Sequence, residues 1–168
     1  MNIFVSYSPA DSELVSAIVS LLCASNSALV YCDADTIRTS GQPREELRMA
    51  ISRADVVLVF WCHHAFTSYE VRKESDLALE YGRDVVPLLL DATPLPRKLV
   101  NSRCIDFRDR VGVIHEGAPD HQAPRELAGR IEADRLIASD LSRPYEDLLV
   151  MSIAREIEAD LASRIGPH

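Results

Sequence analysis

Three pieces between Asp55 and Leu90 decide the fold: DVVLVF (55–60), SYEVRKE (68–74) and DVVPLLL (84–90). Two apolar runs of strand length flank a mixed segment long enough for a helix. A strand, a helix and a second buried strand make a crossover unit, which predicts parallel pairing. Glu74 then falls in the second turn of the connecting helix. A helix after a parallel strand opens on the side of the sheet where ligands bind. By itself such a carboxylate reads as an ordinary exposed helical residue, making i,i+4 contacts with Glu70 or Ala78.

Outward from this unit the alternation continues. Ile3-Phe4-Val5 is a short first strand that ends in Ser6-Tyr7-Ser8-Pro9. Asp11 is placed to cap the next helix, in which Leu14, Val15, Ile18, Leu21 and Leu22 recur at helical spacing. ALVYC (28–32) is a second strand, and DADTIRTSGQ (33–42) a polar loop with Gly41 near its end. Pro43 suits the first turn of a helix that carries Leu47, Ala50, Ile51 and Ala54 on one face. Thr67 and Glu70 have capping-box spacing for the Glu74 helix, and Gly82 suits its stop. Pro87 predicts that the fourth strand, 84–90, lies near an edge or carries a bulge. Cys104–Phe107 is a fifth strand, 108–122 a surface loop, and 124–139 and 144–165 two further helices. Leu149, Ile153, Ile157, Leu161 and Ile165 make a core-facing stripe on the last. The expectation is α/β: a flavodoxin-like, five-stranded parallel sheet with helices on both faces and extra C-terminal helices.

The bulk numbers bound the partners. At 168 residues and 47% hydrophobic, the chain suits a single globular domain, 1–168. Its formal net charge of −8 disfavours nucleic acid and anionic membranes. No signal peptide or membrane span is apparent. Cysteines 23, 32, 62 and 104 form no C-x-x-C pair and lie in or beside apolar runs, which predicts reduced, buried thiols in a cytoplasmic protein. His63-His64 beside Cys62 lacks chelating spacing of its own, so no metal is expected. No G-x-S-x-G elbow or P-loop is present.

Several segments together resemble the TIR (Toll/interleukin-1 receptor) domain family. IFVSYS resembles its first strand. YCDADTIRTSGQPREELRMAI resembles its second strand, BB loop and following helix. SYEVRKESDLALEYGRDVVPLLLD resembles the segment that holds the family's catalytic glutamate, and CIDFRD its fifth strand. The likeness spans about residues 1–109, with 110–168 beyond it. It implies that Glu74 is the catalytic glutamate. It places Tyr7 and Ser8 where family members contact the nucleotide, Asp33 at the start of the BB loop and Gly41 near its end. The tryptophan usual four residues before the glutamate is Glu70 here. Glu70 either caps the helix or works as a second carboxylate beside the site; the cap is the favoured reading. Trp61 could supply aromatic surface for substrate, or belong to the core or rim.

What the resemblance implies is cleavage of the nicotinamide–ribose bond of NAD+, as substrate, with no cofactor. Most glycosidases need a second carboxyl group to protonate the leaving group. Nicotinamide leaves a cationic pyridinium as a neutral molecule, so one carboxylate against the developing oxocarbenium charge suffices. Water would give ADP-ribose; an internal nucleophile would give a cyclic product. Arginine outnumbers lysine 16 to 2, which points to a GC-rich, bacterial genome; for a bacterial chain the resemblance implies anti-phage signalling with a separate effector. The alternatives are a non-catalytic adaptor acting through TIR–TIR contacts, or an effector that interferes with host signalling. The resemblance also implies self-association through the BB loop, 33–42, which would complete the site.

Overall fold

The computed structural model describes residues 1–25, 44–115 and 144–164. Strands β1 (Ile3–Ser6), β2 (Val56–Trp61), β3 (Asp84–Leu89) and β4 (Ile105–Asp106) form one sheet in the order β1-β2-β3-β4. Every pairing is parallel: Ile3 lies opposite Val56, Val56 opposite Asp84, and Leu88 opposite Ile105. All residues of β1 and β2 are buried, as strands covered on both faces must be. The α/β fold is therefore as expected, with four strands among the described residues. The strand expected at 28–32, the BB loop with Asp33 and Gly41, and the helix expected at 124–139 lie outside them.

Helices α1 (Ser12–Ser25), α2 (Arg44–Arg53), α3 (His63–Thr67) and α4 (Tyr69–Glu80) follow the expected order, with α3 an addition. Helix α4 packs across β1, β2 and β3 and touches α2 and α3. Near the C-terminus, α5 (Arg108–His115) and α6 (Pro144–Arg164) contact each other, and α6 packs along α1. Ile153, Ile157 and Leu161 are fully or almost fully buried, so the stripe on the last helix faces the core. Ile165 lies outside the described residues.

Three local expectations are corrected. Residues 108–115 form α5 rather than loop. This helix is too short to show periodicity, and tertiary contacts hold it. Val111 is buried, and Arg110 Nη1 reaches Ser152 Oγ at 2.9 Å and Glu156 Oε2 at 2.6 Å on α6. Asp11 does not cap α1. It ends a 3-10 turn (Pro9–Asp11) that Ser8 caps by accepting from Ala10 N. Cys104 is exposed, Cys23 half-buried and Cys62 buried, so burial holds for only one of these three thiols. The Pro87 expectation holds in its first form: β3 lies next to the short edge strand β4 and carries no bulge in its register. Leu90 N donates to Trp61 O of β2, and Leu89 O accepts from Phe107 N beyond β4. Alternation along the strand turns the missing N–H of Pro87 toward the β4 flank. Pairing with β4 begins only at Leu88, so no ladder bond is lost there.

Candidate functional site

The carboxyl end of the sheet is where β1 gives way to Tyr7 and Ser8, and where β2 gives way to α3 and α4. Backbone geometry at this end fixes where α4 starts. Ser68, with extended backbone (φ −76°, ψ 120°), is at once the C-cap of α3 and the N-cap of α4. Its side chain accepts from Val71 N at 3.4 Å. Thr67 instead bonds back to His63 O at 3.3 Å and His64 O at 3.0 Å. The Thr67–Glu70 capping box is thus corrected: the cap is Ser68, the third helical residue is Val71, and Glu70 is exposed in the first turn. Its charge sits favourably at a helix N-terminus.

This start point turns Val71, Glu74, Ser75 and Ala78 inward. Glu74 is only 4% exposed, unlike an ordinary helical surface residue. Ser6, the last residue of β1, donates its hydroxyl to Glu74 Oε2 at 2.6 Å. Burial pushes the Glu74 carboxyl up to about 7. The Ser6 bond opposes that rise by favouring the charged form, Glu70 adds to it, and Lys73 opposes it. Tyr7 and Ser8 are both buried. The Tyr7 phenol is raised by burial and then by the Glu74 charge, so it lies within the field of that carboxylate.

The structure therefore brings Glu74, Ser6 and Tyr7 together, with Glu70 acting on Glu74 through its charge. Trp61 is different. It is fully buried, its Nε1 donates to Pro94 O at 3.2 Å, and its ring meets Phe66 edge-on. It belongs to the core and offers no surface to a substrate. Asp33 and Gly41 lie outside the described residues. Ser6 is the residue that sequence reasoning missed as a partner. It lies 68 positions from Glu74, and only the pairing of β1 with β2 under α4 makes them neighbours.

A second cluster occupies the same end of the sheet. Asp11 Oδ2 accepts from Cys62 Sγ at 2.9 Å, and Asp11 Oδ1 lies 2.9 Å from His64 Nδ1. Burial, then the hydrogen bond to Asp11, pushes the Cys62 thiol up to about 12. It is no resting thiolate nucleophile. Separately, a cavity of about 630 Å³ lies between α2 and α4, lined by residues that include Arg48, Tyr69, Arg72 and Lys73. Glu74 is not among its lining residues.

Residues 3–128 match the family described as TIR domain. The fold is similar to the crystal structure of the TIR domain of the Toll-related receptor TRR-2 from Hydra magnipapillata. That likeness has a TM-score of 0.54 at 18% identity and covers 65% of this chain and 86% of that one. No curated protein matches the chain.

Proposed function

The chain belongs to the TIR domain family, and from that premise we propose that it cleaves the nicotinamide–ribose bond of NAD+, with Glu74 as the catalytic carboxylate. The observation that carries this reading is the state of Glu74: buried, raised to about 7, and held by Ser6 at the carboxyl end of the sheet. An adaptor surface has no use for a carboxylate in that setting, since its burial costs stability.

The chemistry follows from the charges. Bound NAD+ would bring a pyridinium cation toward Glu74, which favours the ionised form. As the glycosidic bond breaks, the pyridinium takes the bonding electrons and leaves as neutral nicotinamide. Positive charge moves to the ribose, where Glu74 stabilises it. The Ser6 hydrogen bond fixes the carboxylate before the reaction, so little reorganisation is needed. Attack by water gives ADP-ribose and a proton; attack by an atom of the same molecule gives a cyclic product. Tyr7 and Ser8 are the substrate-contacting residues of this reading. Chain self-association through residues 33–42 completes the site, and the product serves a bacterial defence signal.

The test is mass spectrometry of NAD+ incubated with concentrated protein. Wild type should release nicotinamide and an ADP-ribose-type product. Glu74→Gln, shown folded by circular dichroism, should lose at least about 10²-fold in rate. Near-normal turnover by the folded variant sinks the assignment. No cleavage by wild type at any concentration, with self-association intact, favours the adaptor instead.

A further inference from the structure

We propose that Asp11, Cys62 and His64 form a binding site for a zinc-class divalent cation, separate from the Glu74 carboxylate. These three residues come from the segments that leave the carboxyl ends of neighbouring strands, His64 lying in the first turn of α3. The turn after β1 supplies Asp11. The first residues after β2 supply Cys62 and His64. Their ligand atoms, one carboxylate oxygen, one thiol sulfur and one imidazole nitrogen, all lie within 4.8 Å of one another. A tetrahedral zinc ion with the usual bonds of about 2.0 to 2.3 Å would set such atoms about 3.2 to 3.7 Å apart. The two 2.9 Å contacts to Asp11 would open slightly to reach that geometry, and no pair of ligand atoms starts more than 4.8 Å apart.

Charge and exposure favour the same reading. Among the described residues, Asp11 has no lysine or arginine partner; His64 is its one ion-pair partner. The Asp11 and Cys62 side chains are largely withdrawn from solvent, whereas the His64 side chain is 48% exposed. The floor is therefore preformed and the mouth open. A thiolate, an imidazole and a carboxylate together select zinc over magnesium or calcium, which prefer oxygen alone. Three protein ligands leave a fourth position for water or an added ligand, the pattern of an open rather than a closed structural site. On binding, Cys62 releases its thiol proton to solvent as the sulfur–zinc bond forms. The Asp11–thiol hydrogen bond is replaced by an oxygen–zinc bond. The ion would pin the segment that follows Tyr7 and Ser8 to the start of α3.

The experiment uses the chelator-treated chain, titrated with zinc chloride by calorimetry and with cobalt chloride by absorption. One equivalent of zinc should bind, and cobalt should give a thiolate-to-metal charge-transfer band. His64→Ala, at an exposed position where folding is safe, should weaken zinc binding at least about 10-fold and abolish the rise in melting temperature that zinc gives wild type. Cys62→Ser should remove the cobalt band. Absence of the band in wild type overturns the site. So does a band that survives Cys62→Ser, which would mean other thiols hold the metal. Equal zinc affinity in folded His64→Ala overturns it as well.

Discussion

Replacing Glu74 by glutamine should raise stability while it removes activity. The folded carboxyl titrates at about 7 against an ordinary 4.5. The native state thus holds this proton more tightly than the unfolded chain between those values. That advantage is fully present below pH 4.5, falls as pH rises, and is gone above 7, where the native state must bury a charge. A shift of this size corresponds to about 3 kcal/mol. Glutamine can still accept from Ser6 and carries no charge. Urea denaturation at pH 5 and pH 8 should therefore show Glu74→Gln more stable than wild type at pH 8, by about 1 to 3 kcal/mol, with the gap closing at pH 5. A constant gap would mean that Glu74 does not titrate in this range. On the proposed function, the same residue would set the acid limb of NAD+ cleavage, with rate expected to fall as pH drops through about 7. Glu70 raises Glu74 and Ser6 lowers it. Glu70→Gln should move that limb to lower pH, and Ser6→Ala should move it higher. Glu74 was legible in SYEVRKE through its likeness to a family segment. Its burial and its bond to Ser6 were not, because neither follows from spacing within one helix.

Helix α4 is an element whose two ends are both set by local chemistry. Its stop was readable from Gly82. That residue has φ 65°, and the paired bonds Gly82 N to Leu79 O and Arg83 N to Ala78 O close a Schellman motif. An added Cβ would meet nothing within 4 Å, so Gly82→Ala isolates the backbone cost. It should lose about 1 kcal/mol, read as a lower urea midpoint with unchanged slope. Its start was misread by one residue, because Thr67 and Ser68 both suit a cap and α3 takes Thr67 for its own last turn. Ser68→Ala should cost about 1 kcal/mol, while Thr67→Ala leaves the α4 cap intact. If the two variants reverse this order, the cap belongs to Thr67 after all. Pro87 teaches a related lesson. Proline predicts an edge by composition, but the relevant edge is one flank of one residue, which only the register reveals.

At the scale of the whole molecule, α6 is part of the core. It lies beyond residue 128, where the family match ends, yet Ile153, Ile157 and Leu161 join the cluster that begins at Ile3. Its stripe of four-residue steps was readable; its partner α1 was not, since apolar faces do not name what they pack on. Ile157→Ala should destabilise the fold by about 2 to 5 kcal/mol, measurable as a loss of melting temperature comparable to a mutation in the sheet. An effect under about 0.5 kcal/mol, the scale of a surface change, would show α6 to be an appendage. Activity, in contrast, should rise faster than linearly with concentration if a second chain supplies residues 33–42. A flat specific activity from monomeric protein would count against that sharing.

The end of α6 also gives the molecule a polarity. Arg164 bonds Asp160 and Asp84, and Asp160 in turn pairs with Arg103. Asp84 is the first residue of β3, level with Val56 and Ile3 at the amino edge of the sheet. Glu74 is held from Ser6, at the carboxyl edge. The chain is therefore moored at one pole while the buried Glu74 and the Asp11–Cys62–His64 cluster lie at the other. A dye, tether or fused partner attached beyond Arg164 would start from the far pole, and two chains could be joined there by a linker with their Glu74 poles left free to meet.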